Sequence, residues 1–102
     1  MDLAISWTEV ALLDFETIIL QAAERDIIAA EELRVDLLQT VGILARFPLI
    51  GPAYERDRTG RTREVLCGRY RVFYRVQGSP RRVEILTIWP GSMREPRLPG
   101  LG

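Results

Sequence analysis

The residues able to do chemistry concentrate in one run, Gly68-Arg69-Tyr70-Arg71-Val72-Phe73-Tyr74-Arg75-Val76. Period-two alternation puts Tyr70, Val72, Tyr74 and Val76 on one face of a strand and Arg69, Arg71, Phe73 and Arg75 on the other. The second face is expected to be largely cationic, and guanidinium groups fixed on a sheet suit phosphate or carboxylate anions. Arginine can clamp an anion and stabilise charge developing on it, but being always protonated it is a poor general base. Histidine and lysine are absent from the chain. Proton transfer would fall to Glu55, Glu64, Glu84 or the phenols of Tyr70 and Tyr74, and both tyrosines fit better as packed core aromatics than as acid–base groups. Glu64 follows Arg63 directly, so alternation sends the two to opposite faces of a strand. The lone Cys67 cannot form an internal disulfide, nor a Cys/His zinc cluster without histidine, so neither metal nor cofactor is expected.

These residues need elements to hold them. Asp2 to Ile5 reads as a short first strand, and Ser6-Trp7-Thr8-Glu9 has the Ser-x-x-Glu form of a capping box. With Ser6 as N-cap and Ile5 and Val10 as a hydrophobic staple, a helix is predicted to begin near Trp7 and end near Arg25. Leu12, Phe15, Ile19 and Ala22 or Ala23 supply its apolar stripe. Asp26 can cap a second helix, whose stripe runs through Ile27, Ala30, Leu33, Leu37, Val41 and Leu44. Pro48 disfavours helical geometry at Phe47 and stops it. Residues 48–60, with two prolines, two glycines and a polar run, read as an exposed loop. Strands follow over Thr62 to Cys67, Arg69 to Gln77 and Arg82 to Trp89, joined at Gly68 and at Gly78-Ser79-Pro80 into a meander. Residues 1–95 are expected to form one domain and residues 96–102 an extended arm.

Composition narrows the class. At 102 residues, 47% hydrophobic and 27% charged, the chain has the profile of a single globular unit. No apolar run reaches the roughly 18 residues of a membrane span, and the N-terminus lacks a basic signal region, so a cytoplasmic protein is expected. The net charge of zero hides a division. Residues 1–47 carry nine acids and three arginines, a net of −6, whereas residues 48–102 carry eleven arginines and five acids, a net of +6. For Arg81 and Arg82, beside a turn, an ordinary solvated surface is an equal alternative to a binding role.

The order of these elements, with Ile5-Ser6-Trp7, Phe47-Pro48-Leu49-Ile50-Gly51, Arg63-Glu64-Val65-Leu66, Tyr70 to Val76 and Val83 to Arg94, resembles the RelE/ParE superfamily of type II toxins. The resemblance implies an α+β fold, β-α-α-β-β-β, with the N-terminal helical hairpin packed on one face of a small antiparallel sheet. It also implies a toxin neutralised by a cognate antitoxin in a hetero-oligomer, the antitoxin adding a strand or helix and covering apolar grooves. RelE-like members cleave messenger RNA on the ribosome; ParE-like members poison DNA gyrase. Carried over from the RelE pattern, Arg71, Arg63 and Arg94 would be catalytic, with Glu55 and Glu64 as acid or base. Val65 stands where that pattern has a second basic residue, and no tyrosine or histidine follows Trp89, so the ParE-like reading is favoured. Arg69, Arg71, Arg75, Trp89 and Arg94 are the expected binding residues. A third reading makes the chain a non-toxic module that only binds an antitoxin-like partner.

Overall fold

The computed structural model describes residues 2–91 of the chain. Strand β1 (Ala4–Trp7) leads into helices α1 (Glu9–Arg25) and α2 (Ile27–Arg46), followed by strands β2 (Thr62–Cys67), β3 (Tyr70–Gln77) and β4 (Arg82–Pro90). The strands form one sheet in the order β1-β4-β3-β2. The β2-β3-β4 meander is antiparallel, and β1 joins it parallel to β4, so the sheet is mixed.

Helix α1 starts two residues later than its capping box predicts. Ser6 and Trp7 are drawn into β1 by pairing with Glu84 and Ile85, and Thr8 becomes the N-cap, its hydroxyl accepting from the Ala11 N–H at 3.0 Å. The same hydroxyl donates to the Leu86 carbonyl at 2.8 Å. The pairing explains why: β1 covers β4 only from Arg82 to Ile85, leaving the backbone beyond Ile85 without a strand on that side. Asp14 supplies the next partner, accepting from the Ile88 N–H at 3.1 Å and from the Thr87 hydroxyl. Side chains of α1 thus replace the missing strand and satisfy buried backbone groups.

Asp26 caps α2 as expected, accepting from the N–H groups of Ile28 and Ala29, and Phe47 is its C-cap. The inner faces of both helices pack on one side of the sheet. Ala11, Ile18, Leu37, Val41 and Leu44 meet Val72, Tyr74, Val83, Ile85 and Ile88. Leu12 and Ile27, placed on the apolar stripes by spacing alone, are exposed; Ala11 and Ile18 hold the buried positions of α1 instead. Tyr70 and Val76 join this core as the alternation of β3 requires.

A bulge shapes the opposite face. Tyr74 pairs with Ile85 and Phe73 with Thr87, so Leu86 is an additional residue on β4. Ile85 and Ile88, three residues apart, both reach the helical core, while Leu86 and Trp89 pack with Phe73 and Tyr54 on the other side.

Candidate functional site

The outer face of the sheet, expected to be an open row of arginines, is largely roofed over. Residues 52–54 of the loop before β2 run along its edge. The Tyr54 N–H donates to the Thr62 carbonyl at 2.8 Å and the Glu64 N–H to that of Pro52 at 3.1 Å, and Ala53 bridges to Arg63. This carries Tyr54 over the sheet, where its ring meets Phe73 edge-on at 5.0 Å. The loop expected to be exposed is so for most of its length, but Gly51, Tyr54 and Asp57 are buried.

Asp57 organises the rest of the loop. Its carboxylate accepts from the Thr59 N–H (3.0 Å), the Thr59 hydroxyl (2.6 Å) and the Thr62 N–H (2.9 Å). Bonds from Thr59 and then Thr62 hold its pKa far below the usual carboxylate range, against the opposing effect of burial. Below it lies Arg75, only 7% exposed. Its Nε donates to Thr62 Oγ1 at 3.1 Å, and its Nη2 lies 4.0 Å from Asp57. Arg75 belongs to the interior, which corrects its place on a solvent-facing cationic surface.

Arg71 is also largely buried, its side chain 14% exposed against 9% for Arg75. Its Nε donates to Glu64 Oε2 at 2.8 Å, and the guanidinium stacks over Phe73 at 4.9 Å and Tyr54 at 5.8 Å. Arg63 and Glu64 point to opposite faces as alternation predicts, and Arg63 turns back onto the loop. Its Nη1 donates to the carbonyls of Gly51 (2.7 Å) and Leu49 (3.3 Å). The Gly51 N–H donates to the Tyr74 hydroxyl at 2.9 Å. A Cβ at Gly51 would stand 2.5 Å from the Glu64 carbonyl oxygen and 2.8 Å from that hydroxyl, so only glycine fits. Burial raises the Tyr74 phenol above its ordinary pKa, with the Gly51 bond acting in the opposite direction.

The remaining candidates do not converge with these. Arg69 is an exposed turn residue whose carbonyl accepts from Gly91. Trp89 is half-buried against the Phe73 cluster, Glu55 is exposed on the loop, and Glu84 accepts from Gln77 at 2.5 Å. Arg94 and residues 96–102 lie outside the described residues. Among the described residues no three metal-ligating side chains cluster. Chemically, the outer face holds guanidinium groups already matched to carboxylate or hydroxyl oxygens, with that of Arg71 packed on aromatic rings. Tyr54 and Asp57, which build this arrangement, were missed from the sequence. Asp57-Arg58-Thr59 did carry a usable sign, since aspartate two residues before a backbone N–H favours a local turn.

Two other surfaces stand out. A cleft of about 540 Å³ separates the tip of the helical hairpin from the β2–β3 turn, with Ile18, Leu33 and Cys67 in its wall and Arg25, Asp36 and Arg69 around it. At the β2 edge, loop pairing stops at Glu64, and Leu66 beyond it is 70% exposed. No described helix is long and apolar enough to cross a membrane.

The helical hairpin on a four-stranded mixed sheet is the RelE/ParE-like fold, as solved structures bear out. A chain of the chromosomal ParDE toxin–antitoxin system from P. aeruginosa superposes with a TM-score of 0.71 at 19% identity, covering 86% of this chain and 95% of that one. A chain of the RelBE2 toxin–antitoxin complex from Mycobacterium tuberculosis gives 0.58 at 24% identity, covering 88% and 99%. Comparison with curated protein sequences returns no match. A family model described as the ParE toxin of the type II toxin-antitoxin system, parDE, matches residues 5–95, and the chain belongs to that family.

Proposed function

We propose that this ParE-family toxin arrests growth in the cytoplasm by poisoning DNA gyrase, and that a cognate antitoxin neutralises it by direct binding. The observation that favours this over message cleavage is the state of the outer face. The arginine that the nuclease pattern needs, Arg71, is bonded to Glu64, one of the two carboxylates considered from sequence as acid or base. Arg63, directed to the opposite face, is committed to holding the Gly51 and Leu49 carbonyls. A 2′-hydroxyl attack needs one group to take a proton and another to donate one, and this face supplies neither unengaged. Arg71 is instead the residue proposed to meet the toxin's target, since its side chain keeps 14% of its surface in solvent against 9% for Arg75.

The antitoxin reading draws on the open β2 edge beside Leu66 and on the apolar residues that α1 and α2 turn outward, among them Leu13, Leu20, Val35 and Leu38. An extended segment can add a strand to such an edge and lay an apolar face over the hairpin. Induced expression in a bacterium, followed in parallel for gyrase-linked DNA breaks and for ribosome-dependent message cuts, tests the target. DNA breaks with a DNA-damage response are expected; site-specific cuts in translated messages with intact DNA would replace this reading with the nuclease one.

A further inference from the structure

The loop before β2 and the β3–β4 turn leave the sheet at the same end, because Thr62 pairs with Arg75 and Gln77 with Arg82. Together they carry Arg56, Arg58, Arg61, Arg81 and Arg82, the first four exposed. Unlike Arg34, Arg71 and Arg75, none of these five has an ion-pair partner among the described residues. The acids nearest in sequence and pairing do not cancel them. Asp57 is buried and saturated by Thr59 and Thr62, Glu84 is engaged by Gln77, and only Glu55 is exposed on the loop. We infer that this arginine-bearing end of the sheet grips the phosphate backbone of duplex DNA, so that the toxin contacts nucleic acid directly.

Three features favour a duplex. The scaffold is fixed: Asp57, the Tyr54–Thr62 backbone bond and the Gly60–Asp57 bond hold the loop, and the turn closes a paired hairpin. The guanidinium groups are therefore presented by ordered backbone. β2 and β4 flank β3, so the two groups of arginines emerge about 10 Å apart, two strand spacings. That span is of the order of a DNA groove, about 6 to 12 Å wide. Finally, segments 55–61 and 78–82 expose no aromatic ring and, apart from Pro80, no apolar side chain. Unstacked bases of a single strand would find no ring to stack on, and a protein partner would find no apolar anchor. Phosphates require only the cations.

The test does not depend on which enzyme the toxin attacks, since it uses the purified full chain and DNA alone. Binding of a fluorescein-labelled mixed-sequence duplex is followed by anisotropy between 50 and 200 mM NaCl. Four to five phosphate contacts predict a log–log salt slope of about −4, and R56Q/R58Q/R61Q should make it shallower by about 2 to 3. R56K/R58K/R61K should restore it, and R34Q, on the helical hairpin, should leave it unchanged. Retention of fold is read from circular dichroism melts of each variant. A slope shallower than about −1 would overturn the inference, as would glutamine variants with the native slope. Tighter binding of a single strand or of polyglutamate than of the duplex would overturn it equally.

Discussion

Arg63, Arg71 and Arg75 share a side-chain type and a small sheet, yet each has a different occupation. Arg75 is sealed beneath Asp57, Arg71 spans Glu64 and two rings, and Arg63 holds loop carbonyls. Alternation correctly separated the faces of β3 but could not say that a loop would cover one of them, because that depends on side chains distant in sequence, Tyr54 against Phe73 and Asp57 against Arg75. Asp57→Asn is predicted to lower stability at pH 7 by about 1–3 kcal/mol, the cost of breaking a buried charged hydrogen-bond set. The sign with pH follows from its depressed pKa. Stability from Asp57 is complete above the unfolded carboxylate pKa of about 4 and declines as pH falls toward the lower folded value. Urea denaturation at pH 7 and pH 3 should therefore show the difference between native and D57N proteins shrinking in acid. Gly51→Ala is expected to cost about 1–3 kcal/mol through overpacking against the Glu64 carbonyl and Tyr74 hydroxyl, measurable in the same way.

Among the elements, those bounded by local signals were legible from sequence. Asp26 ends one helix, its backbone N–H donating to the Ala22 carbonyl, and starts the next with its side chain; Pro48 follows the C-cap of the second helix, and Gly68, with φ of 59°, adopts a turn conformation that other residues resist. Element boundaries set by distant partners were not. The capping box at Ser6 was locally sound but lost to parallel pairing with β4, and the Leu86 bulge leaves no mark in the hydrophobic pattern. Thr8 carries the consequence, as it caps α1 and also satisfies a β4 carbonyl. Thr8→Ala should lower the unfolding free energy by about 0.5–2 kcal/mol, whereas Ser6→Ala, outside the cap, should cost less. The β2 edge yields a prediction about binding. Leu66→Glu should weaken antitoxin affinity at least tenfold in titration calorimetry while leaving the circular dichroism spectrum unchanged, since the side chain is exposed.

For the whole molecule, the acidic and basic halves of the sequence become an acidic helical layer and a more basic sheet layer, but many of the basic groups are spent on structure. The outer face is built by Tyr54, Asp57, Phe73 and Arg75 into a second small core, and Arg56, Arg58, Arg61, Arg81 and Arg82 gather at one end of the sheet. The absence of histidine and lysine, read at the outset as a shortage of bases, becomes more telling once Glu64 is found joined to Arg71. A gyrase poison needs no proton relay of its own, because the enzyme it traps does the cutting. The most direct measurement combines purified antitoxin-free chain with purified gyrase and supercoiled plasmid, and quantifies linear DNA after detergent and protease treatment. Linear DNA is expected to rise with toxin concentration, to fall when Arg71 is replaced by alanine, and to vanish on adding antitoxin. Plasmid left uncut by gyrase, together with cleavage of message on translating ribosomes by the same preparation, would rule out gyrase as the target.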